Sequence, residues 1–251
     1  MDWAFLAAAG VLGGLTGSIA GLASVATYPA LLVFGLPPVT ANVTNTVALV
    51  FNGIGSIAGS QPELAGQGAW IKRILPAAAI GGAIGATLLL TTPAEGFERI
   101  VPILLGLASV AILLPRSTRQ EARVAHHQRD TVRILLESAA IFVICIYGGY
   151  FGAAAGVLLL AMLMRAGGAT LAHANAGKNV ILAVANGVAA LIFTVVAPVH
   201  WPAVLAVGIG CLIGSRLGPV VVRHAPTGPL RVVIGIAGLV LAVKLGFDAY
   251  G

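Results

Sequence analysis

Charge is what this chain has least of. Aspartate, glutamate, lysine and arginine make up 9% of its 251 residues, while 59% are hydrophobic. A soluble domain of this length would carry far more charge on its surface. Cysteine is scarce as well. Cys145 and Cys211 both lie inside apolar runs, without metal-ligand spacing or polar neighbours, and read as small core-filling residues. No acid pair falls within an apolar segment, and the H-E-x-x-H, G-x-S-x-G and Walker A patterns are absent. The chain therefore carries no sign of an enzyme or of ATP hydrolysis by that route, and none of a cofactor or metal. The N-terminus lacks a basic region and a small-residue cleavage site, so the first hydrophobic segment reads as retained in the membrane. The net charge of +6 is a topology signal, because nucleic-acid binding needs a basic patch on a soluble surface.

Long apolar runs fill the rest. They are continuous rather than alternating, which predicts an all-α polytopic membrane protein and excludes a β-barrel. The segments are 3–20, 22–36, 40–60, 69–92, 97–115, 131–149, 150–166, 173–197, 202–223 and 228–247. All should be helical, since only helices satisfy backbone polar groups without water. Segments 22–36 and 150–166 are short, so each pairs with its predecessor as a kinked or re-entrant hairpin. The 33 glycines suit close helix packing, notably Gly81-xxx-Gly85 and Gly210-xxx-Gly214-xxx-Gly218.

The chain repeats itself. Gly14, Gly17 and Gly21 answer Gly149, Gly152 and Gly156 at an offset of 135, and Asn45, Asn52 and Gly53 answer Asn179, Asn186 and Gly187 at 134. Gly81 and Gly85 pair with Gly214 and Gly218 at 133. This predicts two transmembrane repeats, 1–115 and 131–251, of about five helical segments each, joined by a basic linker at 116–130. An odd number of crossings per repeat inverts the second relative to the first. Inverted repeats with broken helices at matching positions are the architecture of secondary transporters, with substrate near the midplane. Arg116, Arg119, Arg123 and Arg129 place the linker in the cytoplasm, with Lys72, Arg73, Arg165 and Arg223 on the same side and both termini outside.

Two polar clusters stand out. Thr40, Asn42, Thr44, Asn45 and Thr46 follow Pro37-Pro38, and Asn175, Lys178 and Asn179 occupy the matching region of the second repeat. Some of these residues read as helix caps. Lys178 is either an intramembrane functional charge or a side chain snorkelling to the cytoplasmic surface. Two helix starts brought to one point would add positive dipole ends and N–H donors to the ammonium. Such a pocket, without a carboxylate, suits a small anion. The substrate-binding set is then Lys178, Asn179, Asn45, Thr44, Asn42, Asn175 and Thr46. Gly17, Gly21, Pro29, Gly152 and Gly156 are hinge or packing positions. His173, near the second cluster, reads as a cap or packed residue, with proton carriage as the alternative.

At SIAGLASVATYPALL (18–32), PPVTANVTNTVAL (37–49) and HANAGKNVILAVANGVAALIF (173–193), the chain resembles the sulfite exporter TauE/SafE family. The resemblance covers nearly the whole chain. It implies a bacterial inner-membrane carrier of sulfite, sulfonates such as sulfoacetate, or other small sulfur-containing or organic anions, working as an exporter. By position it carries the family's polar motif onto Thr44, Asn45, Lys178 and Asn179. Leu22, Ala23 and Ser24 stand where the family usually has a glycine run. The expected mechanism is alternating access around a midplane site, with the hairpins 3–36 and 131–166 moving and with proton or ion coupling open. A passive channel for anions or small solutes is the alternative. The expected partners are the bilayer and a small anionic substrate.

Overall fold

A computed structural model describes residues 3–113, 131–153, 155–166 and 170–224, with scattered helical residues between Val232 and Tyr250. The linker 116–130 and most of segment 228–247 lie outside the described residues. In the first repeat the helices are α1 (Trp3–Ala20), α2 (Ala23–Val33), α3 (Pro38–Gly59), a single turn α4 (Gln61–Leu64), α5 (Gly68–Thr91) and α6 (Ala94–Leu113). In the second they are α7 (Thr131–Tyr150), α8 (Ala155–Ala166), α9 (Leu171–Val196) and α10 (Trp201–His224). Four of them, α1, α5, α9 and α10, are long and apolar enough to cross a membrane. Large apolar side chains face outward along the bundle. Val195 is 82% exposed, Leu191 70% and Leu107 64%, as lipid-facing positions should be.

The first helix of each repeat breaks where the sequence loses its regular pattern. Gly21 adopts φ 76° between α1 and α2, and Gly152 adopts φ 73° between α7 and α8. This left-handed backbone is open to glycine at no steric cost. In the first repeat the chain then turns back on itself. A Cβ on Gly17 would meet Ala23, one on Gly13 would meet Thr27, and the rings of Trp3 and Phe34 lie 5.1 Å apart. So α2 returns along α1 as a helical hairpin. Pro29 sits within α2, not at the break.

The two repeats interlock. Helix α1 packs on α10, with a Cβ on Gly10 standing 2.3 Å from Val207 O and one on Gly214 2.0 Å from Val11 O. Its counterpart α7 packs on α5 in the same way, a Cβ on Gly85 standing 2.1 Å from Ile146 O. The central pair α3 and α9 runs antiparallel. Gly53 meets Ala183, and further along α3 Ser60 accepts a hydrogen bond from Asn179, an earlier residue of α9. Equivalent helices that cross antiparallel are what an inversion requires.

The contacts also correct the register. Gly81 faces Phe142, Cys145 and Ile146, while Gly210 faces Ala7, Gly10 and Val11. These partners are related by the 135 offset of α1 and α7, so Gly81 corresponds to Gly210 and Gly85 to Gly214. The offset here is 129, against the 133 expected from sequence. After α3, which has 22 residues, the first repeat inserts the turn α4, where α9 of the second repeat runs on for 26 residues. Gly21 likewise corresponds by conformation to Gly152. It touches Gly156 across the molecule, where a Cβ on either would fall within 2.3 Å of the other's Cα.

Candidate functional site

Between the interlocked repeats lies a cavity of about 30 Å³, room for roughly two waters. From the first repeat it is lined by Gly17, Ser24, Thr46, Leu49 and Asn52, and from the second by Phe151, Gly152, Asn179, Ala183 and Asn186, among others. Several of these are repeat-related: Gly21 with Gly152 by conformation, and Leu49 with Ala183 and Asn52 with Asn186 by the offset of 134. The stretches 46–53 of α3 and 179–186 of α9 that flank it lie near the middle of each helix. No lining residue is charged.

The polar residues singled out in the sequence divide around this space. Thr46 and Asn179 line it. Asn45 stands behind, accepting from the Thr27 hydroxyl and donating to Ser24 Oγ at 3.1 Å, which clamps α2 to α3. Asn42 donates to Tyr150 O at 2.9 Å, and Asn175 donates to Ser18 O at 2.9 Å. Each therefore ties its own repeat's third helix to the broken end of the other repeat's first helix. The last carbonyls of a helix have no partner within it, so these two amides act as caps across the repeat boundary. Thr44 does not reach the cavity. Its hydroxyl accepts the His200 N–H at 3.0 Å, just before α10 begins.

Lys178 is fully buried. Its ammonium donates to Gly17 O at 3.0 Å and Ser18 O at 3.3 Å. A cation at the C-terminal end of α1 also meets the negative end of the helix dipole. Gly17 is itself a lining residue, so the charge lies one carbonyl behind the cavity wall. The snorkelling alternative does not hold.

Convergence of two helix starts is also absent. Helix α3 begins at Pro38, with proline in its first turn, and α9 begins at Leu171 behind the Thr170 cap. Thr46 and Asn179 are each eight residues further on, about 12 Å along the axis. Because α3 and α9 are antiparallel, their starts point to opposite ends of the molecule. Thr170 Oγ1 also lies 2.7 Å from His173 Nδ1, so His173 belongs to the cap of α9.

Sequence reasoning left Asn52 and Asn186 without a role. Neither side chain makes a hydrogen bond among the described residues, and Asn52 Oδ1 is buried without a partner. The signal was present, since the two answer each other at offset 134. A single asparagine in an apolar helix, however, reads as packing.

An ion pair and hydrogen bonds hold the α4 turn just beyond the end of α3. Arg223 Nη2 donates to Glu63 Oε2 at 2.8 Å and to Gly59 O at 2.9 Å, and Arg223 Nε donates to Glu63 Oε1. Gln67 donates to His173 O at 3.2 Å. The α4 turn is thus bonded to α10 through Glu63, and Gln67, just after it, is bonded to α9. Arg223's hydrogen bonds hold the Glu63 carboxyl below its ordinary value, against the opposing effect of burial.

A sequence model of the sulfite exporter TauE/SafE family matches residues 6–245. The chain belongs to that family. Similar proteins include the "Probable membrane transporter protein YfcA" of Escherichia coli strain K12, 27% identical over 96% of this chain and 88% of its own length. Another is the "Probable membrane transporter protein ORF9" of Sinorhizobium sp, 29% identical over 98% of this chain and 92% of its own. A third, from Haemophilus influenzae, is 22% identical over 98% and 94%. No solved structure matches. Family membership and the apolar helices make this a multi-pass membrane protein.

Proposed function

We propose that this TauE/SafE family member is a secondary transporter of small sulfur-containing or organic anions, sulfite or a sulfonate, working by alternating access. The relatives' names and the family support membrane transport. The observation that carries the anion reading is the cavity itself: mid-depth, shared by repeat-related residues, with hydroxyls and amides set in a mainly apolar lining and no carboxylate, and with Lys178 one carbonyl behind its wall. A cation would find no counter-charge there.

The packing suggests which parts move. The close glycine contacts bind α1 to α10 and α7 to α5, so the hairpins do not slide alone. Two mixed bodies, α1–α2–α3 with α10 and α7–α8–α9 with α5, would rock about the α3–α9 seam. The cavity lies on that seam. Export of the anion and a cytoplasmic linker complete the reading.

Flux into proteoliposomes tests it. Sulfite uptake should saturate and show counterflow, and it should be lost in Lys178→Ala. Flux that rises linearly with concentration, without counterflow, would indicate a channel. Full transport by Lys178→Ala would remove that residue from the site.

A further inference from the structure

We propose that the starts of α2 and α8 form an oxyanion-binding site in the cavity, where free backbone N–H groups and the Ser24 hydroxyl hold the oxygens of a sulfonate or sulfite. This rests on the anion-transport reading above.

The starts of α3 and α9 point apart, but those of α2 and α8 meet. A Cβ on Gly21, just before α2, would stand 2.2 Å from Gly156 Cα and 3.0 Å from Val157 N, both in the first turn of α8. Gly21, Ala23 and Ser24 line the cavity from one side of this contact, and Gly152 and Ala155 from the other. The helices have 11 and 12 residues, enough for each to present a positive end. Their first N–H groups are unpaired. Leu22 N–H turns back to Thr16 O and Val25 N–H to Leu22 O, while Ala23 and Ser24 N–H have no acceptor among the described residues, and no side chain caps α2. In α8, Ala155 N–H bonds to Gly152 O, and Gly156 and Val157 N–H likewise have no acceptor.

Unpaired N–H groups alone are ordinary at a helix start. Ser24 adds an independent mark of a ligand. It is 4% exposed and lines the cavity. Its oxygen accepts from Asn45 Nδ2 at 3.1 Å, yet its own O–H has no acceptor among the described residues. Asn52 Oδ1, an unpaired acceptor in the same lining, does not reach it. A buried hydroxyl proton beside free N–H groups is satisfied by an occupant that brings its own acceptor oxygens. The opposite ends of the broken helices are covered instead. Asn175 and Lys178 donate to the last turn of α1, and Asn42 donates to Tyr150 O at the end of α7. The polar clusters thus cap carbonyl ends and leave the N–H ends facing the cavity.

The experiment measures methanesulfonate flux by the purified full chain in proteoliposomes, with the neutral analogue methanesulfonamide as competitor and a thermal melt to show that each variant is folded. Wild-type flux should saturate, and methanesulfonamide should not compete. Ser24→Asp sets a carboxylate on the free N–H groups of α2, in the place of the oxyanion, and should cut flux about tenfold or more. Ser24→Ala keeps the N–H groups and removes the hydroxyl, and should raise KM several-fold. Thr170→Asp puts the same charge on the start of α9, outside the cavity, and should leave flux unchanged. Wild-type flux in folded Ser24→Asp, an unchanged KM in Ser24→Ala, or competition by methanesulfonamide equal to that of sulfite would overturn the proposal while leaving anion transport standing. Wild-type vesicles that move neither methanesulfonate nor sulfite would overturn both. If Ser24→Asp fails to fold, Ser24→Ala and the methanesulfonamide competition decide.

Discussion

Lys178 shows how one side chain can serve structure and charge together. It bridges the second repeat's α9 to the last turn of the first repeat's α1, through Ser18 O and through Gly17 O, which also accepts the Gly21 N–H. Replacing it with methionine keeps an apolar stem of similar length and removes the donor. Lys178→Met should destabilise the protein by about 1–3 kcal/mol, read as a lowered midpoint in a thermal melt in detergent. An unchanged midpoint would mean that the carbonyls find other donors. Cys145 and Cys211, both fully buried, should stay unreactive towards thiol reagents until the protein unfolds.

Among helices, glycine decides what can approach what. A Cβ on Gly14 would stand 2.3 Å from Cys211 O, and one on Gly214 2.0 Å from Val11 O. Backbone cannot move aside as a side chain can. Gly14→Ala and Gly214→Ala should each lower stability by about 1–3 kcal/mol through separation of α1 from α10. Gly187→Ala is the control, because nothing lies within 4 Å of its added Cβ. Denaturation in detergent separates the two classes. The α4 turn makes a second prediction. Glu63's carboxyl is depressed by Arg223, so the stability it contributes is present above the unfolded value, near pH 4.3, and fades as pH falls through the lower folded value. With Arg223 partly exposed, the ion pair should be worth only about 0.2–1 kcal/mol. Glu63→Gln should lower the neutral-pH midpoint slightly and flatten the loss in acid.

At the scale of the molecule, the all-helical class, the broken first hairpins and the repeat were legible in the sequence, because apolar runs and paired glycines record them directly. The register of the fourth helix was not. Gly-xxx-Gly recurs every turn, so matching Gly81 to Gly214 or to Gly210 looks equally good until the faces they touch are known. The α4 turn that absorbs the difference is short and has no apolar run of its own. The polar clusters were visible, but not their directions. Asn42, Thr44 and Asn175 turn out to hold helix ends, because burial forces each amide or hydroxyl onto the nearest unpaired backbone group. Asn52 and Asn186, which have no such group to hold, are left facing the cavity.

The central claim is that a small anion sits on the α3–α9 seam between two inverted repeats. Cysteine introduced at Ala183, on the cavity wall, and at Leu191, on the exposed face of the same helix, reads this directly. In membrane vesicles, methanesulfonate should slow thiol labelling of Ala183→Cys in a saturable way and leave Leu191→Cys untouched. Equal protection at both sites, or none at Ala183→Cys in a variant that still transports, would contradict the account.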